Sequence, residues 1–175
     1  MGVLSELGYG LKPANAVQRV TQKVAASKPG AWAFQKTLYA IDRPLFRASK
    51  GRWSGPGLLA GVPVIMLTTT GAKSGLPRPM PLVGIPIGDD GDDLAVIGSN
   101  FGQEHTPGWV HNLLANPAAT VAYRDRSVDV TARPATDAET DQAFEVGARF
   151  YPGYATYRER ASHRTIRVFI LDPAT

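Results

Sequence analysis

Beyond residue 61 the chain runs in short stretches of Val, Ile and Leu separated by Gly, Pro, Asp and Asn. Apolar runs of this length between turn residues read as β-strands. The pattern predicts strands at 62–70, 79–87, 93–99, 118–124, 127–134 and 165–171. Asp89-Asp90-Gly91-Asp92 reads as a hairpin turn, since it is too short for a calcium loop and lacks the closing glutamate. Two helices interrupt the strands. The first has Thr106 as N-cap, Pro107 at its first position, a buried face of Trp109, Leu113 and Leu114, and a stop at Asn116-Pro117. The second opens on the capping box Thr136-Asp137-Ala138-Glu139 and runs through Phe144, Val146, Ala148 and Phe150 to Tyr151-Pro152-Gly153. Six strands with two intervening helices predict a mainly β, α+β domain over 61–175. Its expected form is a small antiparallel barrel, closed or nearly closed, because closure removes exposed strand edges.

Residues 1–60 follow a different rhythm and are expected to form a helical N-terminal extension and linker. Ala16, Val17, Val20 and Val24 share one helical face, and a break follows at 27–30. A second helix is predicted after Pro29, with Trp32, Phe34, Leu38, Tyr39, Ile41 and Phe46 on its apolar side. Residues 49–61 are glycine-rich and read as a linker or flap. Lys and Arg recur from Lys12 to Arg52 with few acids among them. Such a basic amphipathic pair can lie on an anionic membrane surface, but packing on its own barrel is the favoured expectation, because tertiary packing is the usual fate of an amphipathic face.

Composition narrows the chemistry. A chain of 175 residues with 43% hydrophobic content supports one domain plus an extension. With no cysteine, disulfides, iron–sulfur clusters and thiolate zinc sites are excluded. The three histidines, His105, His111 and His163, have no metalloprotease spacing, so no metal centre is expected. A net charge of +4 favours anionic ligands weakly, and no aromatic–basic motif points to nucleic acid. No secretory signal is visible, and no apolar segment approaches the roughly 20 residues that span a bilayer. The expected location is the cytoplasm, with membrane association open through the N-terminal helices.

Four clusters carry candidate chemistry. The first predicted strand empties into Thr68-Thr69-Thr70-Gly71-Ala72-Lys73-Ser74-Gly75-Leu76-Pro77-Arg78. Small residues let backbone N–H groups approach a ligand; the hydroxyls of Thr70 and Ser74 and the charges of Lys73 and Arg78 suit a phosphate or carboxylate. A plain basic β-turn is the alternative, and the loop is not a P-loop. Gly98-Ser99-Asn100-Phe101-Gly102 forms a second corner. Trp109 and Asn112 stand three apart on one helix face, and a half-buried Asn112 amide needs partners. Tyr151, Tyr154 and Tyr157, followed by Arg158, form an aromatic stripe able to stack an acceptor and offer phenol protons, or simply to pack. Arg164 and Arg167 bracket the start of the last strand.

The ordered series T-T-x-G-x-K-S-G-x-P-R, G-S-N-F-G, P-x-W-x-x-N-L-x-A-N-P, Y-x-x-Y-x-x-Y-x-x-R and R-T-I-R-V-F resembles the deazaflavin-dependent nitroreductase family. These are flavin/deazaflavin oxidoreductases with a split β-barrel that use coenzyme F420. The resemblance covers about Gly61 to Pro173. It implies a six-stranded split barrel in which Thr70, Lys73, Ser74 and Arg78 hold the cofactor's anionic tail. It places Pro81, Leu82 and Val83 along the deazaflavin ring and Trp109 and Asn112 at the helix closing the site. It puts Tyr151, Tyr154, Tyr157 and Ser99 by the substrate pocket as candidate catalytic groups. Ala72 stands where the family commonly carries a basic residue, and Asn100 where it can carry a lysine. The implied reaction is hydride transfer from reduced F420 to a small electron-poor acceptor such as a quinone or nitroaromatic. FMN on the same barrel, and a non-catalytic deazaflavin carrier, are the alternatives; the oligomeric state is left open.

Overall fold

The computed structural model describes residues 2–10, 64–100, 103–150, 153–155 and 165–174. The helices expected within 13–48 and the linker at 49–61 lie outside them. A five-residue helix α1 (Val3–Leu7) comes first. Strands β1 (Val64–Thr70), β2 (Pro77–Val83), β3 (Ile85–Ile87) and β4 (Asp93–Ile97) precede helix α2 (Gly108–Ala115). Then come β5 (Ala118–Tyr123), β6 (Arg126–Pro134), helix α3 (Asp137–Phe150) and β7 (Val168–Pro173).

The strands form one seven-stranded sheet in the order β2-β1-β5-β6-β7-β4-β3, antiparallel at every step. The two outermost strands, β2 and β3, are consecutive in the chain with only Gly84 between them. The sheet must therefore curl until its ends meet there, and β2 and β4 are indeed in contact. Before Gly84 the chain pairs with β1, and after it with β4. The predicted 79–87 strand is thus two strands serving opposite sheet ends, which raises the count from six to seven. The barrel is split: no strand ladder joins β2 to β4, which leaves the outer edge of β2 and the end of β4 on the two sides of the split.

Side chains fall into two clusters. Ile65, Leu67, Leu94, Val96, Val121, Phe169 and Leu171 fill the interior beneath α1 and α2. Ile85, Ile87, Ala95, Ile97, Val168 and Ile170 face outward under α3, which contributes Ala143 and Phe144. Strands β4 and β7 send alternate residues to each cluster, so they read as continuous apolar runs rather than alternating ones.

The capping box is present: Thr136 N–H donates to Glu139 Oε2 at 2.7 Å, and Glu139 N–H donates to Thr136 Oγ1 at 3.3 Å. Arg133 on β6 donates to both Glu139 oxygens and to Asp172 on β7, tying α3 to the sheet. Three expectations shift. The cap of α2 is Pro107, with no side-chain bond from Thr106, and Leu114 is 49% exposed because the buried face is Trp109, Val110 and Leu113. The last strand begins at Val168, after 165–167 have run on without strand pairing.

Residues 2–10, read from sequence as part of the extension, pack into the barrel. Val3, Leu4 and Leu7 are each at most 4% exposed within the interior cluster. Asp92, in the β3–β4 turn, accepts from Ser5 Oγ and from the Gly2 and Ser5 N–H groups. These bonds, the Ser5 hydroxyl foremost, hold its carboxyl below the usual range. Tyr9 donates to the Gly84 carbonyl at the point where the barrel splits, and its ring lies 4.9 Å from that of Tyr123. Burial, reinforced by Tyr123 and Tyr154, pushes the Tyr9 phenol far up, so it stays a donor.

Candidate functional site

The loop between β1 and β2 is built around Gly71. Its N–H donates to Leu76 O at 2.9 Å, and its carbonyl accepts from Ser74 N at 3.2 Å and Gly75 N at 2.8 Å. A Cβ on Gly71 would stand 2.5 Å from Ser74 Oγ and 3.2 Å from Leu76 O, so only glycine fits without rearrangement. Gly75 follows at φ +64°, a left-handed turn position. Ser74 Oγ accepts from Leu76 N at 3.3 Å and from Arg78 Nη2 at 3.2 Å. Ser74 thus braces the turn and steers the guanidinium.

Lys73, Ser74 and Arg78 are exposed, and Thr70 is partly buried. The ion pairs of the described residues involve only Arg133 and Arg149 as cations, leaving Lys73 and Arg78 without a carboxylate partner there. Two exposed cations at one end of the hairpin make that surface positive, which favours an anionic ligand. The donor set fits the phosphate and carboxylates of a deazaflavin cofactor's tail.

Strand β2 leads from this loop to the split. Pro77, Pro79 and Pro81 pair with Thr70, Thr68 and Met66. Proline has no N–H to give to β1, so these odd positions face outward and the even ones bond to β1. The outer edge therefore offers carbonyl acceptors at 77, 79 and 81. Val83 is the first residue along it that carries an N–H. From Arg78 to Val83 the edge extends roughly 17 Å at the usual rise per residue. Pro81, Leu82 and Val83 are half-buried, as the wall of a ligand site would be.

Across the split, β4 ends at Ile97, and Ser99 beyond it is 7% exposed. Gly98 N–H donates to Arg167 O at 2.9 Å, pinning this corner to the segment before β7. Asn100, at φ +46°, donates from Nδ2 to His105 O at 2.9 Å. Trp109 is 4% exposed and meets Phe169 edge-on at 6.0 Å. Its ring is therefore a core element, supporting α2 from below. Tyr154 is 7% exposed and belongs to the cluster under α3, its ring against Gly147. Tyr151, Tyr157, Arg158, Arg164 and Phe101 lie outside the described residues.

The structure thus unites Thr70, Lys73, Ser74, Arg78, Pro81, Leu82 and Val83 on one hairpin, with Asn112 against its loop. Ser99 stands across the split, and Trp109 and Tyr154 are buried in separate clusters. Sequence reasoning gave no role to Thr69 or Tyr9, and noted Ala72 only as a departure from the family pattern, not as a partner of Asn112. Thr69 lay inside the singled-out motif; Tyr9 had no local signal, because its partner Gly84 is 75 residues away. Among the described residues no three potential metal ligands gather, and no helix is long and apolar enough to cross a membrane.

Comparison with known proteins covers most of the chain. Residues 41–173 match the profile of the F420H(2)-dependent quinone reductase family. An F420H(2)-dependent quinone reductase of Mycobacterium tuberculosis is 33% identical over 137 residues, 77% of this chain and 89% of that protein. A putative one from Mycobacterium bovis matches equally. The solved structure of an F420-H2 dependent reductase, FDR-A, superposes with a TM-score of 0.55 at 34% identity, covering 63% of this chain and 94% of that one. A chain described as a domain-swapped dimer gives 0.57 at 30% identity, covering 83% and 100%. The chain belongs to the F420H(2)-dependent quinone reductase family and is an F420H2-dependent reductase, with coenzyme F420 as its cofactor.

Proposed function

We propose that this protein passes a hydride from reduced coenzyme F420 to a quinone, with nitroaromatics as further acceptors. The observation that carries the proposal is the exposed pair Lys73 and Arg78, without carboxylate partners among the described residues, at the head of an edge leading to the split in the barrel. The quinone is supported by the names of the relatives; the electron-poor chemistry it shares with nitroaromatics supports the second class.

When bound, the reduced deazaflavin supplies a two-electron hydride, so the protein needs no nucleophile or metal of its own. Lys73 and Arg78 hold the anionic tail, with Ser74 orienting the guanidinium and Thr70 offering its hydroxyl. The half-buried edge Pro81–Leu82–Val83 flanks the ring. Acceptor carbonyls along 77–81 suit hydroxyl or N–H donors, and the Val83 N–H suits a carbonyl. Asn112 and Trp109 act at the helix that closes this side. Reducing a quinone also takes a proton, which Ser99, Tyr151, Tyr154 or Tyr157 donates from the acceptor side. Tyr154, 7% exposed in the cluster under α3, supports that side by packing. The extension that follows residues 2–10, residues 11–60, is proposed to govern acceptor access. Its basic residues support peripheral contact with an anionic membrane at the cytoplasmic face, where lipid-soluble quinones are reached; liposome co-sedimentation tests this.

The decisive experiment measures dissociation constants for F420 and FMN on one preparation, then follows oxidation of reduced F420 by quinone and nitroaromatic acceptors. Binding of F420 with acceptor-dependent turnover supports the reading. Preference for FMN, or binding without turnover, overturns it in favour of a flavin enzyme or a carrier. Single Tyr-to-Phe changes at 151, 154 and 157, and Ser99→Ala, find the donor: its loss lowers kcat on the order of 10²-fold with cofactor affinity unchanged.

A further inference from the structure

Asn112 spends both ends of its amide on the basic loop. Its Oδ1 accepts from Ala72 N–H at 3.0 Å, and its Nδ2 donates to Thr69 Oγ1 at 2.9 Å. Thr69 is 1% exposed, and its hydroxyl oxygen stands 3.5 Å from the carbonyl oxygen of Arg78. One side chain on α2 therefore grips the loop on both flanks: beside Lys73 through Ala72, and opposite Arg78 through Thr69. The helix is a firm support, because Trp109, Val110 and Leu113 are buried in the interior cluster. The loop is less so, since residues 72–79 are all exposed.

We infer that Asn112 is a positioning residue, acting through Thr69 and Ala72 to hold Lys73 and Arg78 in the arrangement that receives an anionic tail. The inference rests on the cofactor reading above and adds a distinct role for this residue. An exposed loop with two long cations loses much conformational freedom when it binds an anion. A loop already fixed to a helix loses less, and the difference appears as affinity. A direct contact between Asn112 and the ring predicts something else, since it would not involve the buried Thr69 hydroxyl.

The test uses the full chain with two probes: coenzyme F420 and a deazaflavin riboside that carries the ring without the anionic tail. Asn112→Leu keeps the shape and removes both bonds; Thr69→Val removes the hydroxyl and leaves the Asn112 amide in place. Each should weaken F420 binding about tenfold, as expected for losing charge-positioning hydrogen bonds. Neither should change riboside binding, and the double variant should lose little more than either alone. Thr69→Ser should restore F420 affinity. In the ligand-free chain, hydrogen exchange at the Ala72 amide should accelerate in Asn112→Leu. Equal losses on both probes, parental affinity in Thr69→Val, additive losses, or unchanged exchange at Ala72 would each overturn the inference while leaving the cofactor reading intact. A parent that binds neither probe overturns the cofactor reading and this inference with it.

Discussion

Gly71 is the tightest point of the basic loop, and its lack of a side chain has a measurable consequence. A methyl group there collides with Ser74 Oγ, the atom that receives the Arg78 guanidinium. Gly71→Ala should therefore shift Ser74 and release Arg78. We expect a destabilisation of about 1–3 kcal/mol together with weaker F420 binding, read by thermal melts and fluorescence titration. Lys73 and Arg78 act more directly. Replacing either with Ala removes a charge-assisted contact worth about 1.5–3 kcal/mol, or roughly ten- to a hundredfold in affinity. Both cations are exposed, so added salt should weaken parental binding and flatten the difference between parent and variants. Unchanged affinity in both folded variants would move the anion site elsewhere.

The junction of β6, β7 and α3 governs acid stability. Glu139 accepts hydrogen bonds from Arg133 and from Thr136, and these, led by Arg133, outweigh partial burial and hold its carboxyl down at about 2, against an ordinary 4.5. A carboxyl depressed on folding stabilises the fold wherever it is ionised in both states. Its contribution is thus complete above about pH 4.5 and disappears as pH falls towards 2. Arg133, raised by the same contact, stays charged throughout. Glu139→Gln should lower the melting temperature by a few degrees near neutral pH, a modest figure because Arg133 is 43% exposed. The deficit should vanish by about pH 2. The capping box that begins this network was legible in the sequence, as were most strand cores, because four consecutive residues or one apolar run carry the signal. The break at Gly84 was not: 79–87 reads as one uninterrupted run, and only the register with β1 and β4 shows that its halves serve opposite ends of the sheet. The loop motif stood out in the sequence as a candidate anion site, but Asn112 and Thr69 lie 43 residues apart, and nothing local says they meet. Trp109 marks the opposite case: the apolar spacing of its helix predicted a buried ring, and the ring does turn into the core while the Asn112 amide meets the loop.

At the scale of the molecule, the barrel depends on its first ten residues. Val3, Leu4 and Leu7 fill the interior, Asp92 anchors the start of α1, and Tyr9 holds the Gly84 carbonyl where the sheet ends meet. A truncation that removed residues 1–48 would strip out this plug along with the extension, so its failure would say nothing about acceptor access. The informative deletion spans 11–48 and retains residues 2–10, with a flexible linker in their place. It should keep F420 binding and change KM for a lipid-soluble quinone. Loss of cofactor binding in a folded protein would show that the extension belongs to the cofactor site. The plug itself is tested by Leu7→Ala, which empties a fully buried position and should cost about 2–5 kcal/mol. Tyr9→Phe is the finer probe, since it removes only the hydroxyl. It leaves the Gly84 carbonyl without that donor at the apex of the split. We expect a stability loss of about 1–3 kcal/mol. Hydrogen exchange should also quicken around 83–85, where the edge proposed to flank the ring ends. Parental stability and exchange in Tyr9→Phe would mean that β2 and β4 keep their junction by strand pairing alone.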